Sequence, residues 1–295
     1  MDPLALVAAA TIPAAILYSW WRKAPVSLTL AVSMLTVFAL EIVAARLDPF
    51  TTFATDLAVY KLGSAYSGPL SYVTALFLHA DLFHILFNLL FLIALGPLLE
   101  GRIGPLRWGV LFFAGGVVSN LVFVMVNYQL PAFALLGASG ALSAVFGAFG
   151  RLYPRERVSM FIPIPLPPMP VIYWVIGFVV IQLLLSVLAF GPLSSIAWEA
   201  HVAGLVFGFA AAPLVMRVPG RRKAEKVRDF SALKPFVRGA DLDEILGHLS
   251  HETLPEAQEA WLEKFAAKAA CPQCGRPLRF SRGALRSDCG WALRL

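Results

Sequence analysis

The sequence predicts an all-α, polytopic membrane protein of seven spans, followed by a small soluble tail domain. Three observations carry this. The 295 residues are 59% hydrophobic, above the roughly 45–50% of soluble domains, and mean hydropathy is +0.74. Several apolar runs reach the roughly 20 residues that a helix needs to cross about 30 Å of hydrocarbon. Charge is segregated: residues 217–295 hold 15 of the 24 Lys and Arg and 10 of the 18 acids.

The spans fall at about 3–21, 27–45, 83–99, 107–127, 138–153, 171–190 and 200–216. The first lacks the basic start of a signal peptide and runs from Asp2 through Trp20-Trp21 to Arg22-Lys23. It reads as a retained helix with its N-terminus outside. If the spans alternate, Arg22 and Lys23, Arg102 and Arg107, the group Arg151, Arg155 and Arg157, and Arg217 with Arg221-Arg222-Lys223 all share one side. The opposite loops hold only Arg46 and Lys61. The bias of basic residues to the cytoplasmic side then puts the tail on the cytoplasmic side of a cell membrane. It also accounts for the net charge of +6 without a nucleic-acid partner.

Between the spans, residues 46–82 form a long outer loop, and loops of this length are often functional. "FIPIPLPPMP" (161–170) is a connector that cannot continue a helix. In the tail, Leu242, Ile245, Leu246 and Leu249 give helical spacing, and Pro255 opens a second helix with Ala257, Trp261, Leu262 and Phe265 on one stripe. The expected units are 1–24 (extra span), 25–218 (core), 219–270 (basic linker and helical pair) and 271–295 (cysteine tail).

Polar groups are costly inside a membrane, so each invites a functional hypothesis. His84 and Asn88 share one helix face at i and i+4. Ser139 begins the fifth span and His201 the seventh. All three spans run from outside to inside, so these residues should lie at similar depth. Ser139 is 12 residue steps from Arg151, about 18 Å of helix, which sets it below the outer surface. Taken alone, Ser139 reads as a packing serine. Taken together, the four residues suggest a Ser–His dyad, with His201 as base. His84, Asn88 and the backbone N–H of Ser139 would serve as oxyanion donors. Gly204 and Gly208 are spaced for close helix packing. No acid in a neighbouring span offers a third member, and Glu199 belongs at the outer rim.

On these residues the chain resembles the rhomboid family of intramembrane serine proteases, over about 27–216. "HADLFHILFNLLF" resembles its second core helix, "GASG" (Gly137 to Gly140) its fourth and "AHVAGLVFG" its sixth. Glu100 and Arg102 resemble a structural Glu-x-Arg pair. The resemblance implies a six-helix core, with the span 3–21 an addition, that cleaves single-span membrane proteins near their outer ends without a cofactor. The fifth core helix and the loop after it, including Phe178, Phe190 and Trp198, would gate the substrate. Many members carry an aromatic four residues after the nucleophile, where this chain has Ser143. Many carry Trp-Arg in the outer loop, where this chain has Leu70-Ser71. The competing reading is a catalytically silent rhomboid-like membrane chaperone or adaptor. Inactive relatives usually lack the serine or the histidine, and both are present here.

The tail resembles a zinc ribbon with one knuckle intact. Cys271-x-x-Cys274-Gly275 is complete, but Arg286 stands where the partner of Cys289-Gly290 is expected. Structural zinc takes four ligands. Cys271, Cys274 and Cys289 could bind it with Asp288, His248 or His251 as the fourth, or the tail could be a metal-free remnant.

Overall fold

A computed structural model describes residues 2–159, 161–162, 164–165, 167–188, 197–218, 230–252, 255–281 and 283–295. Phe190 and the basic run Arg221-Arg222-Lys223 lie outside them, as does the side chain of His251. The chain forms two compact units, Met1–Lys223 and Ala224–Leu295.

Helix α1 (Pro3–Arg22) starts where Asp2 accepts from the Leu4 N–H at 2.7 Å and Pro3 presets the first turn. It ends at Lys23, which takes a left-handed conformation at φ 56°. Helix α2 (Val26–Leu47) returns against α1, with Thr11 and Ser33 hydroxyls 2.8 Å apart in the seam. The long loop between α2 and the next span is built rather than loose. It contains α3 (Phe53–Leu57), β1 (Val59–Leu62), β2 (Ala65–Tyr66), α4 (Ser71–Thr74) and a 3₁₀ turn (Ala75–Phe77). Asp81 then caps α5 (Leu82–Ile103), accepting from the His84 N–H at 2.9 Å. Gly104, at φ 89°, ends α5 and leads through Pro105 into α6 (Pro105–Val126).

Strand β3 (Ala132–Leu135) pairs antiparallel with β1 and completes a sheet of order β2-β1-β3. It delivers the chain to α7 (Ser139–Leu152). The connector to α8 folds into two ribbons. β4 (Arg157–Val158) pairs with β7 (Met169–Pro170), and β5 (Phe161–Ile162) with β6 (Ile164–Pro165). Helices α8 (Val171–Leu188) and α9 (Trp198–Val215) complete the first unit.

The helices fall where the spans were expected, which makes this an all-α polytopic membrane protein. Among the described residues α1, α2, α5, α6 and α9 are long and apolar enough to cross a membrane. Helix α7 has 14 residues, about 21 Å, and is the buried centre of the bundle, with Gly140 through Gly150 all buried. Small residues make that possible. A Cβ on Gly116 of α6 would sit 2.6 Å from Leu76 and 3.1 Å from Ala141. A Cβ on Gly208 of α9 would sit 2.5 Å from the carbonyl carbon of Ala144. Backbones therefore pack on backbones around α7, as close-packed membrane helices do.

Glu100 and Arg102 do not pair with each other. Two residues apart, they point to different faces of α5. Glu100, buried at 5% exposure, accepts from the N–H groups of Val26 at 2.6 Å and Ser27 at 2.8 Å, and from the Ser27 hydroxyl at 2.7 Å. It thus caps α2 from another helix and satisfies donors that an N-terminus leaves free. Arg102 reaches Glu156 in the α7–α8 connector at 2.7 Å and lies over the Tyr153 ring.

In the second unit a 3₁₀ segment (Phe230–Phe236) precedes α10 (Ala240–His251) and α11 (Pro255–Lys268). A sheet of order β10-β9-β8 follows, from β8 (Arg279–Ser281), β9 (Ala284–Arg286) and β10 (Ala292–Arg294). The helical pair and the cysteine tail share one core, in which Leu249, Leu262 and Phe265 pack with Leu278 and Leu285. Sequence composition separates 219–270 from 271–295, whereas among the described residues Phe230 and Leu233 already belong to the core that the cysteine tail shares.

Candidate active site

Three local features aim Ser139. The β3–β1 ladder pins the approach, with Leu135 opposite Val59. The Gly137 N–H then donates to the Ala75 carbonyl at 2.8 Å. Gly137 itself takes φ +113°, and a Cβ there would lie 2.6 Å from Nε2 of His84. Only glycine meets both demands. Ser139 follows as the first residue of α7, where its backbone N–H has no partner within the helix.

His201 sits in the first turn of α9. Its Nε2 lies 2.7 Å from Ser139 Oγ. That approach depends on the seam between α7 and α9, where Gly204 abuts Gly140 and Gly208 abuts Ala144. A Cβ on Gly140 would in turn sit 2.6 Å from Cβ of Ser119 on α6. The four glycines named from the sequence thus divide into two roles: Gly137 makes room for His84, and the other three let helices touch.

His84 borders Gly137 from α5, and its ring packs edge-on against His79, centroids 5.0 Å apart. Asn88, one turn further along α5, is buried and donates one Nδ2 hydrogen to the His84 carbonyl at 3.0 Å. An amide nitrogen carries two hydrogens, so a second remains for another acceptor. Three helices therefore meet here: the Ser139 hydroxyl lies against the His201 imidazole, the His84 ring lies against Gly137, and Asn88 bonds back to the His84 carbonyl. Such a set is suited to attack on a carbonyl.

The sequence reading passes over one member. Gln182 of α8 places Oε1 3.1 Å from Nδ1 of His201 and is 5% exposed. The signal for it was available, since an amide in an apolar span is costly without a purpose. Phe178, one turn earlier on α8, has its ring centroid 6.2 Å from that of His201. Ser143, where an aromatic was expected, donates to the Ser139 carbonyl at 2.7 Å. Glu199 and Trp198 line an apolar groove between α6 and α9 with Val118 and Val122.

The tail brings its own cluster together. The ligand atoms of Cys271, Cys274 and Cys289 all lie within 4.8 Å of one another, and the Cys271 and Cys289 sulfurs are 3.6 Å apart. Burial of Cys271 opposes its thiolate. Hydrogen bonding by Ser287 and by the backbone N–H groups of Gln273 and Cys274 outweighs that and lowers the thiol to about 6. Of the expected fourth ligands, neither Asp288 nor His248 joins: among the described residues the cluster is three cysteines, and the His251 side chain lies outside them. His248 instead stacks on Trp261, with ring centroids 4.5 Å apart.

Residues 66–218, just over half of the chain, match the family model of the Rhomboid domain. YdcA of Bacillus subtilis (strain 168), assigned by its name to the rhomboid proteases, is 28% identical over 170 residues, covering 55% of this chain and 75% of its own. The rhomboid protease GlpG of Salmonella choleraesuis (strain SC-B67) is 32% identical over 145 residues, 48% of this chain and 46% of its own. The inactive RHOMBOID-like protein 8 of Arabidopsis thaliana is 36% identical over 80 residues, 27% of this chain. The match spans less than half of GlpG and only 21% of the Arabidopsis protein.

Proposed function

Because the chain belongs to the rhomboid family, we propose that it is an intramembrane serine endopeptidase working through Ser139 and His201. The observation that carries this reading is the 2.7 Å contact between Ser139 Oγ and His201 Nε2. In the reaction, Oγ attacks the substrate carbonyl while Nε2 takes its proton. The imidazolium then protonates the leaving amine as the C–N bond breaks. Water, deprotonated by the same nitrogen, hydrolyses the acyl-serine. The negative charge on the tetrahedral oxygen is met by the Ser139 N–H, the free Asn88 hydrogen and the His84 ring. Such preorganised donors are worth more where water is excluded. No step needs a metal.

The substrates on this reading are single-span membrane proteins, cut near the outer side of a cell membrane. The protein's own N-terminus lies outside and its tail in the cytoplasm, following the distribution of Lys and Arg. The test is cleavage of a single-span substrate by purified protein in detergent. Wild type should cut and Ser139→Ala should not. Equal cleavage by both rejects Ser139 as nucleophile, and no cleavage by wild type supports the silent adaptor instead.

The tail is read as a three-cysteine zinc site. With Zn–S bonds of about 2.3 Å, tetrahedral geometry sets sulfurs about 3.8 Å apart. The observed 3.6 Å pair within a 4.8 Å cluster fits that. Cys271, Cys274 and Cys289 would hold the ion and a solvent or exogenous donor would complete it, giving a structural clasp. The full chain purified under reducing conditions should carry about one zinc per molecule, and the Cys271→Ser, Cys274→Ser, Cys289→Ser triple variant none. Wild type without metal after zinc reconstitution refutes the site.

A further inference from the structure

The imidazole of His201 has two nitrogens, and only one faces the serine. The other decides whether the ring can act as a base. For Nε2 to accept a proton from Ser139, the neutral ring must carry its hydrogen on Nδ1. Which nitrogen is protonated is set by the partner of the other. Here the partner at Nδ1 is the Gln182 side chain, 3.1 Å away.

We propose that Gln182 is a positioning residue for the dyad: its amide oxygen accepts the Nδ1 hydrogen of His201, fixing the tautomer and aim of the ring, so that α8 rather than α7 holds the base ready. This rests on the reading of Ser139 and His201 as nucleophile and base. Three observations and one chemical constraint converge on it. Gln182 is almost fully buried in a helix otherwise made of apolar residues, Gly177, Tyr173, Trp174 and Ser186, and a buried amide is costly unless bonded. Only one orientation of that amide is compatible with catalysis: the nitrogen end would leave Nδ1 bare and put the hydrogen on Nε2, against the serine. Phe178 lies one turn away at i−4, on the same face, with its ring centroid 6.2 Å from that of the imidazole and tilted by 45°, so one stripe of α8 meets His201 with both an amide and an aromatic ring. Finally, α7 supplies no such support. The residue one turn below Ser139 is Ser143, whose hydroxyl is given to the Ser139 carbonyl.

An amide suits this place better than a carboxylate. It accepts the hydrogen without adding a charge that would need its own partner in an apolar setting. The arrangement also links the base to α8. Its opposite faces expose Tyr173, Ile176, Val180, Leu184 and Val187, so this helix holds His201 on one side and meets lipid on the other. Displacing α8 would take away the ring's partner and its aromatic contact in one step.

The experiment compares wild type with Gln182→Leu, which keeps the bulk and loses the acceptor, and Gln182→Glu, which keeps an acceptor. Kinetics are measured on the single-span substrate, thermal unfolding in the same detergent, and ring ¹⁵N shifts of His201 in histidine-labelled protein. Gln182→Leu should lower kcat by about 10- to 100-fold, in the range of a lost partner that orients a reacting group, with KM changed less than about twofold, because the loss falls on the chemical step and not on substrate binding. Its His201 signal should shift from the Nδ1–H tautomer toward a mixture. Gln182→Glu should recover most of the kcat lost in Gln182→Leu, since the acceptor is retained, yet stay below wild type, since its charge lacks a partner in an apolar setting. Wild-type kcat for Gln182→Leu overturns the proposal. So does an equal loss in both variants with the tautomer unchanged, which would mark a packing role. If wild type itself fails to cleave, the dyad reading has failed; the ¹⁵N shifts still decide whether Gln182 sets the tautomer.

Discussion

Gly208→Ala adds one methyl group far from the serine, and its effect can be worked from distances. The new Cβ would sit 2.5 Å from the carbonyl carbon and 2.7 Å from Cα of Ala144. Carbon atoms rest at about 3.5 Å, so the backbones must part by about 1 Å. These are main-chain atoms inside helices, with no side chain that could rotate away. The 2.7 Å contact between Ser139 and His201 spans the same two helices, and opening it by about 1 Å breaks the hydrogen bond. A misplacement of that size costs on the order of 100-fold in rate, while overpacking costs about 1–3 kcal/mol of stability. The assay is kcat on the single-span substrate, paired with thermal unfolding. Gly177→Ala on α8 is the control, because a Cβ there meets nothing within 4 Å; it should leave both measurements nearly unchanged. A Gly208→Ala protein with wild-type kcat would refute the claim that backbone contact between α7 and α9 sets the dyad distance.

Other expectations rest on separate parts of the molecule. Glu100→Gln weakens the acceptor that serves Val26 and Ser27 and should cost about 1–3 kcal/mol, read as a lower unfolding temperature in detergent. His84→Ala should lower kcat by about 10²-fold or more with little change in KM if the ring is an oxyanion donor; a pure KM effect would assign it to substrate binding. In the tail, Lys268 holds the Asp241 carboxyl below its ordinary value through a hydrogen bond and its charge. The stabilisation is therefore present above the usual carboxylate range and lost as pH falls through the lowered value. An NMR titration should show that depression vanish in Lys268→Ala.

How far the sequence could be read depended on the range of the interaction. The helices were legible because each is a local run of apolar residues. The orientation implied by Arg and Lys put His84, Ser139 and His201 at one level, and Ser139 does meet His201 while His84 meets Gly137. What lay across helices at side-chain resolution was not legible. Glu100 and Arg102 are neighbours in sequence, yet serve Val26 and Glu156 on opposite faces of one helix. The β1–β3 ladder joins residues seventy or more positions apart through strands of four, too short for alternation to mark. Gln182 was visible as a lone amide in a greasy helix, but nothing local tied it to His201. In the tail, Cys271 marked a metal motif, while its burial with Leu278 and Phe265 depended on how α11 and the sheet fold together.

The seam of Gly140, Ala144, Gly204 and Gly208 also has a mechanical meaning. Side chains between two helices act as a compliant layer that can deform as the helices shift. Here that layer is missing, so α7 and α9 behave as one stiff strut. A bilayer that grows thicker or thinner will tilt such a strut as a whole. Relative sliding of the two helices then has no soft layer through which to change the distance between the serine and the imidazole. Helix α8 leans on the strut through larger side chains, and it is there that the membrane can be felt.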